Sequence, residues 1–522
     1  MAGLQPALGV CTQYFRFSQL FFMAKDLAYE KELSVDPKKS IRKGFVWLGI
    51  ASVISQILSA VTMIIAMIFM TKEEIGVATL ALSFIAIVES FNALGTHQGI
   101  LQAKTLTPDE THSTFLFASF FGLIILVLTI PFAWLVAWIY NNDALVPLFI
   151  TSMIKMPIVC IAAVPFQMIN RRFEYQKISA VNTLTILTCS ILKILLAILG
   201  FGAWAFVISD TSYGVGTLIG AFVCSKYRPK MHFKWSECVR FVKFGIKMCL
   251  STCVNQFNKN LHFLVVGKLL GEGVLGIYKI AYELAMTPAL SLFVVVTRSS
   301  FPVFSRLQDK RDELSKLFLW NQKNIAILAA IPAAAILFIA IDIFGLMPRE
   351  EWLAATPVIP FLLVLSFFRS ILLAYPDLYR ASGRPDYPIY TEVLEAVLFV
   401  LVCAGSLYLC NTYWNSAYAI ETMISSWVAL HLVYFIIHCR ISQNFIDNSL
   451  KKIVLNMFPG LGYILFASVL SIPLYLFRDS LPWTNWTHLI AELLVIVISL
   501  LLYSKYILKV SLKDLVKKKK DS

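Results

Sequence analysis

From about residue 44 to near its end, the chain alternates long apolar runs with short polar ones. A helix that crosses the hydrocarbon core of a bilayer needs about 20 predominantly apolar residues. On that measure the pattern predicts about fourteen helices, at 44–70, 75–101, 114–140, 145–168, 177–200, 203–225, 244–268, 273–298, 318–344, 353–376, 388–410, 415–438, 453–477 and 485–508. The apolar runs are continuous rather than alternating with polar residues, which excludes the strands of a closed membrane barrel. The expected fold is an all-α polytopic membrane protein.

Composition agrees with this. A mean hydropathy of +0.74 and 58% hydrophobic residues over 522 positions exclude a soluble or disordered chain. The net charge of +14 would suit a nucleic-acid partner, but its placement points elsewhere. With loops assigned alternately to the two sides, 36 of the 45 Lys and Arg residues fall on one side, 4 on the other (Lys72, Lys268, Arg349, Arg478) and 5 inside spans. Such asymmetry places both termini in the cytoplasm, with anionic lipid rather than nucleic acid facing the basic side. The outward loops are short, about a dozen residues at most, too short for a folded domain such as a membrane glycosyltransferase or ligase would need. Of ten cysteines only Cys410 lies near an outer end, so no outward pair is available for a disulfide. No cleavable signal peptide is apparent, and the first span is expected to direct insertion. Residues 1–22 read either as an interfacial extension or as sequence upstream of a start at Met23.

Compared with itself at an offset of 200, the chain aligns Ile75 to Ala81 with Leu275 to Ala281, and Ser55-Gln56 with Asn255-Gln256. A spacing of six helices preserves orientation, so the halves are expected to be parallel repeats with a transport site between them. The expected organisation is a cytoplasmic extension (1–43), an N-lobe of six helices (44–225), a basic linker (226–243), a C-lobe of six helices (244–440), two further helices (441–508) and a basic tail (509–522). Aromatic residues interleave the basic ones from Lys226 to Lys247, which predicts an amphipathic helix lying on anionic lipid.

Five basic residues, Lys155, Lys193, Lys259, Lys279 and Arg369, fall inside apolar segments. Facing lipid, they would together cost on the order of 12 to 17 kcal/mol. They are therefore expected to line an aqueous interior, which suits an anionic substrate. Asn255, Gln256 and Lys259 share a stretch of helix 7. Lys279 and Glu283 stand at i and i+4 on helix 8, where they can neutralise each other. Lys193 and Arg369 lie nearer span ends, where a long side chain can instead reach the interface. Glu89, Asp210, Glu283, Glu392, Glu395 and Glu421 are the span acids that can pair with these bases or couple transport to a proton or sodium gradient. Glu492 reads as a contact between helices. No phosphate-binding Gly-rich loop and no cluster with metal-ligand spacing is present, so neither an enzyme nor a cofactor or metal is expected. His97, His262 and His431 read as hydrogen-bonded core groups.

Asn258-Lys259-Asn260-Leu261, Gly267-Lys268-Leu269-Leu270-Gly271, Leu275 to Tyr282 and Phe301 to Leu307 together resemble the signature of the polysaccharide transporter family. Arg171-Arg172-Phe173, Gly200 to Ala205 and Ala381 to Pro385 resemble it as well, so that the likeness runs from about 40 to 505. These are the oligosaccharide flippases of the multidrug/oligosaccharidyl-lipid/polysaccharide superfamily. The resemblance implies a monomeric inner-membrane protein that moves an undecaprenyl-diphosphate-linked oligosaccharide to the outer leaflet by alternating access, for O-antigen, capsule or exopolysaccharide. It also implies polysaccharide polymerase and glycosyltransferases as partners. On this reading Lys259, which has no carboxylate three or four residues away, is the first choice for the diphosphate, followed by Arg369 and Lys155. One departure is His262, where the family often has Asp. The competing readings are a multidrug and toxin cation exporter of the same superfamily, which should have an acidic cavity, and a non-transporting scaffold, which needs no charged interior.

Overall fold

The computed structural model describes residues 54–506, with 104, 309, 385 and 479–483 excepted; the expectations for 1–43 and 509–522 lie outside the described residues. Among the described residues there is no strand. The helices are α1 (Ile54–Phe69), α2 (Lys72–Gln102), α3 (Pro108–Tyr140), α4 (Leu145–Arg171), α5 (Tyr175–Ile198), α6 (Ala203–Ser225), α7 (Trp235–Leu270), α8 (Glu272–Arg306), α9 (Arg311–Gly345), α10 (Glu350–Ala381), α11 (Asp386–Tyr413), α12 (Ser416–Ser442), α13 (Leu450–Leu476) and α14 (Asn485–Tyr506). The expected segments overlap these helices, the first only over its described part from residue 54. Among the described residues, 11 are long and apolar enough to cross a membrane.

Local chemistry sets several of the boundaries and breaks. Thr107 caps α3 in a reciprocal box with Glu110, and Pro108 follows at the first helical position. Asn141 ends that helix in the left-handed conformation. Helix α2 is interrupted by a 3-10 stretch, Glu89–Gly95, in which Ala93 and Leu94 take positive φ. Helix α4 bends at Ile154, so that Lys155 opens its second half.

The chain divides into two compact units, and the division cuts through α2 and α7. The first contains 81–196 and 203–256; the second contains 60–80, 197–202 and 257–522. In the first unit α4 packs between α3 and α6, and Ile100, Phe115, Val164, Met168 and Phe241 form a core. The first half of α7 belongs here because it lies along the broken part of α2, where the Cys249 thiol donates to the Ser90 carbonyl at 3.2 Å. In the second unit α9 is central, and α13 and α14 pack along it. That docking includes a fully buried Asp342, whose carboxylate meets Arg478 at 2.9 Å and His488 at 2.6 Å.

The beginning of α2 belongs to the second unit for a related reason. Gly76 abuts the Glu272 carbonyl at the start of α8, and Gly276 abuts the Lys72 carbonyl at the start of α2. Every partner in this reciprocal contact is offset from its counterpart by the 200 residues of the sequence repeat.

The basic linker departs from expectation. No separate surface helix forms: residues 226–234 are non-helical and α7 runs unbroken from Trp235. Two of its side chains are used within the first unit, while Phe233 and Trp235 stay exposed. The Tyr227 hydroxyl bonds His112 Nδ1 at 2.8 Å, and Arg240 donates to Glu110 and to the Thr105 carbonyl at 2.6 and 2.8 Å.

Candidate substrate site

Each unit holds its own group of span charges. In the first, the bends in α2 and α4 bring Glu89 and Lys155 to Asp210 of α6. Lys155 Nζ donates to both Asp210 oxygens at 2.9 and 3.0 Å and lies 2.5 Å from Glu89 Oε1. The lysine side chain is 7% exposed, against 29% for each acid, so the base is enclosed. Gly214 leaves room for the lysine stem, since a Cβ there would lie 2.9 Å from Lys155 Cγ. Two span acids thus share one base, a pairing that the sequence allows for. Lys193 lies over the Phe206 ring at 4.6 Å, and Asn255 and Gln256 are half-buried on α7.

In the second unit the bases stand on an aromatic floor. His262 is fully buried, hydrogen-bonded through Nδ1 to Tyr278 at 3.0 Å, with ring centroids 4.4 Å from Tyr282 and 5.0 Å from Trp427. Arg369 donates to the Tyr282 hydroxyl at 3.2 Å and lies 5.5 Å from the Trp427 ring. Lys279 pairs with Glu283 at 2.8 Å and lies over Phe263, as its helical spacing predicts. Glu395 stands 3.8 Å from His431 and its charge acts on Arg369. The Glu392 carbonyl accepts from Asn258 at 2.7 Å, and its carboxylate acts on Lys259. Among the described residues neither Lys259 nor Arg369 makes an ion pair; Lys259 is exposed, and the positive charge of Arg369 acts on it. Two buried polar atoms beside Arg369, Trp427 Nε1 and His262 Nε2, have no hydrogen bond. Glu421 lies in the first turn of α12, outside this group.

Lys259, Lys279 and Arg369, with Glu283, Glu392 and Glu395, thus fall in one unit, while Lys155, Glu89 and Asp210 form a closed group in the other. The sequence reading missed Tyr282 and Trp427, which position Arg369. Trp427, His431, Tyr434 and His438 follow a helical spacing that was legible, but such a stripe reads as ordinary core.

Comparison with known proteins bears on what this arrangement serves. The chain is similar to the lipopolysaccharide biosynthesis protein WzxC of Escherichia coli, 26% identical over 376 residues that cover 70% of this chain and 75% of that protein. It is also similar to the teichuronic acid biosynthesis protein TuaB of Bacillus subtilis, 23% identical over 441 residues, 83% of this chain and 90% of that one. Among solved structures, the lipid II flippase MurJ in an inward closed conformation shares the fold with a TM-score of 0.67 at 14% identity, over 87% of this chain and 97% of that one. An inward-facing multidrug resistance transporter of the MATE family aligns with a TM-score of 0.52 at 13% identity, over 80% and 98%. The profile of the family described as polysaccharide biosynthesis protein matches residues 64–357, more than half of the chain, and with the residues already quoted from helices 7 and 8 it makes this chain a member of that family.

Proposed function

We propose that this protein is a flippase that carries a lipid diphosphate-linked oligosaccharide from the cytoplasmic to the outer leaflet by alternating access. The observation that carries the reading is the pair Lys259 and Arg369: two span cations in one unit, without an ion pair among the described residues, Arg369 being held by Tyr282 and Trp427. Charge-assisted contacts to phosphate are strong in a low-dielectric cleft, and the guanidinium fork suits paired oxyanions. The indole and imidazole nitrogens left without partners suit sugar or phosphate oxygens. The Lys155, Glu89 and Asp210 group is the better place for ion coupling, because its two acids already share one cation. Relatives that serve lipopolysaccharide and teichuronic acid synthesis support a glycan cargo, delivered at the membrane alongside glycosyltransferases and a polymerase.

The test is polymer export in cells that lack their own flippase. Lys259→Ala should abolish export at normal protein level, Lys259→Glu should be at least as damaging, and Lys259→Arg should retain part of the activity. Export by Lys259→Ala at the wild-type rate removes Lys259 from the site.

A further inference from the structure

The linker leaves one group of side chains that transport does not use. Asp109 in the first turn of α3, His232 in the non-helical linker and Glu237 in the first turn of α7 bring one ligand atom each to within 4.8 Å of one another. They lie on the side that charge placement gives to the cytoplasm. His232 Nε2 is 3.2 and 3.0 Å from the two Glu237 oxygens. The Ser113 hydroxyl donates to Glu237 Oε2 at 2.6 Å while accepting from the Lys234 amide at 3.1 Å, which fixes the carboxylate from behind. Spacing along the chain hides this set, because Asp109 and His232 are more than 100 positions apart.

We propose that Asp109, His232 and Glu237 bind a divalent transition ion of the zinc class, which fastens the linker and the start of α7 to α3. One imidazole nitrogen and two carboxylates are a donor set such an ion takes, with a fourth position left for water. Bond lengths near 2.0 to 2.2 Å place ligand atoms about 3.4 Å apart. His232 and Glu237 already approach that separation, and Asp109, being exposed, closes the remaining gap by a side-chain rotation. Ser113 behind Glu237 supplies the outer-shell hydrogen bond that orients a ligating carboxylate.

The experiment is calorimetric titration of the purified full chain in detergent, stripped with chelator, with zinc chloride. One saturable site is expected. Asp109→Asn and Glu237→Gln should each weaken binding at least tenfold, and Ser113→Ala by roughly 10- to 100-fold. Thermal unfolding without zinc controls for folding, and the exposed Asp109→Asn decides the matter where another variant does not fold. Equal affinity in wild type and Asp109→Asn would mean zinc held by unrelated histidines and overturns the proposal. Absence of saturable binding overturns it too, leaving His232 and Glu237 as an ion pair.

Discussion

Gly76 and Gly276 occupy equivalent places in a two-fold contact: each lies against the carbonyl of the residue four positions before the other, Glu272 for Gly76 and Lys72 for Gly276. A side chain at either would enter the opposing backbone, which cannot yield as a side-chain tip can. Overpacking of this kind costs about 1 to 3 kcal/mol. Gly276→Ala and Gly76→Ala should therefore lower the thermal unfolding midpoint in detergent by comparable amounts. Gly405→Ala, at a helical position with nothing within 4 Å of the new methyl group, should leave it unchanged or raise it. Equal effects at all three sites would remove the contact from the account.

The enclosed Lys155 makes a second prediction. Replacing it with Met leaves Glu89 and Asp210 facing each other without a cation, and removing one partner of a buried ion group costs about 3 to 5 kcal/mol. Lys155→Met should fall sharply in folded yield. Adding Glu89→Gln and Asp210→Asn should restore the yield while leaving any ion dependence of transport lost. Size-exclusion profiles of the single and triple variants check this, and a triple variant no better folded than the single one would contradict it.

Orientation is open to direct labelling. In a background with the native cysteines replaced, Glu350→Cys or Asp143→Cys should react with an impermeant maleimide in intact cells, and Arg172→Cys or Lys310→Cys should not. Reaction at Arg172→Cys from outside would reverse the proposed topology and with it the direction of transport.

Alternating access should also be visible along α2 and α8, the helices that the repeat makes counterparts. Cysteines placed on their polar positions should change in reactivity between substrate-free and substrate-loaded states. Reactivity that never changes at any position would favour a scaffold over a transporter.

The helices were legible because span length and apolar continuity are properties of the chain itself. The 200-residue repeat likewise announced the equivalence of Gly76 and Gly276 before their contact was seen. Lys279 with Glu283 was legible from helical spacing alone. Other features depend on which helices meet. The sequence offers Lys155 as a possible cation for substrate, and only the bends at Ile154 and Glu89 hand it to Asp210 and Glu89. The linker's basic and aromatic residues looked suited to lipid because hydrogen bonds across more than 100 positions, such as Tyr227 to His112, leave no local pattern. Tyr282 and Trp427 were invisible as site residues for the opposite reason: an aromatic stripe is what any helix core shows.

The central claim is that the protein moves a lipid diphosphate-linked oligosaccharide across the bilayer by means of unpaired cations in its second unit. The most direct measurement reconstitutes the full chain in proteoliposomes with a fluorescent lipid diphosphate oligosaccharide. It follows the fraction of label that a membrane-impermeant quencher reaches. Wild-type protein should bring label from the inner to the outer leaflet, and Arg369→Gln, folded and incorporated to the same level, should lose most of that rate. Lipid that stays in its leaflet with wild-type protein, or that moves equally fast with Arg369→Gln, would contradict the account.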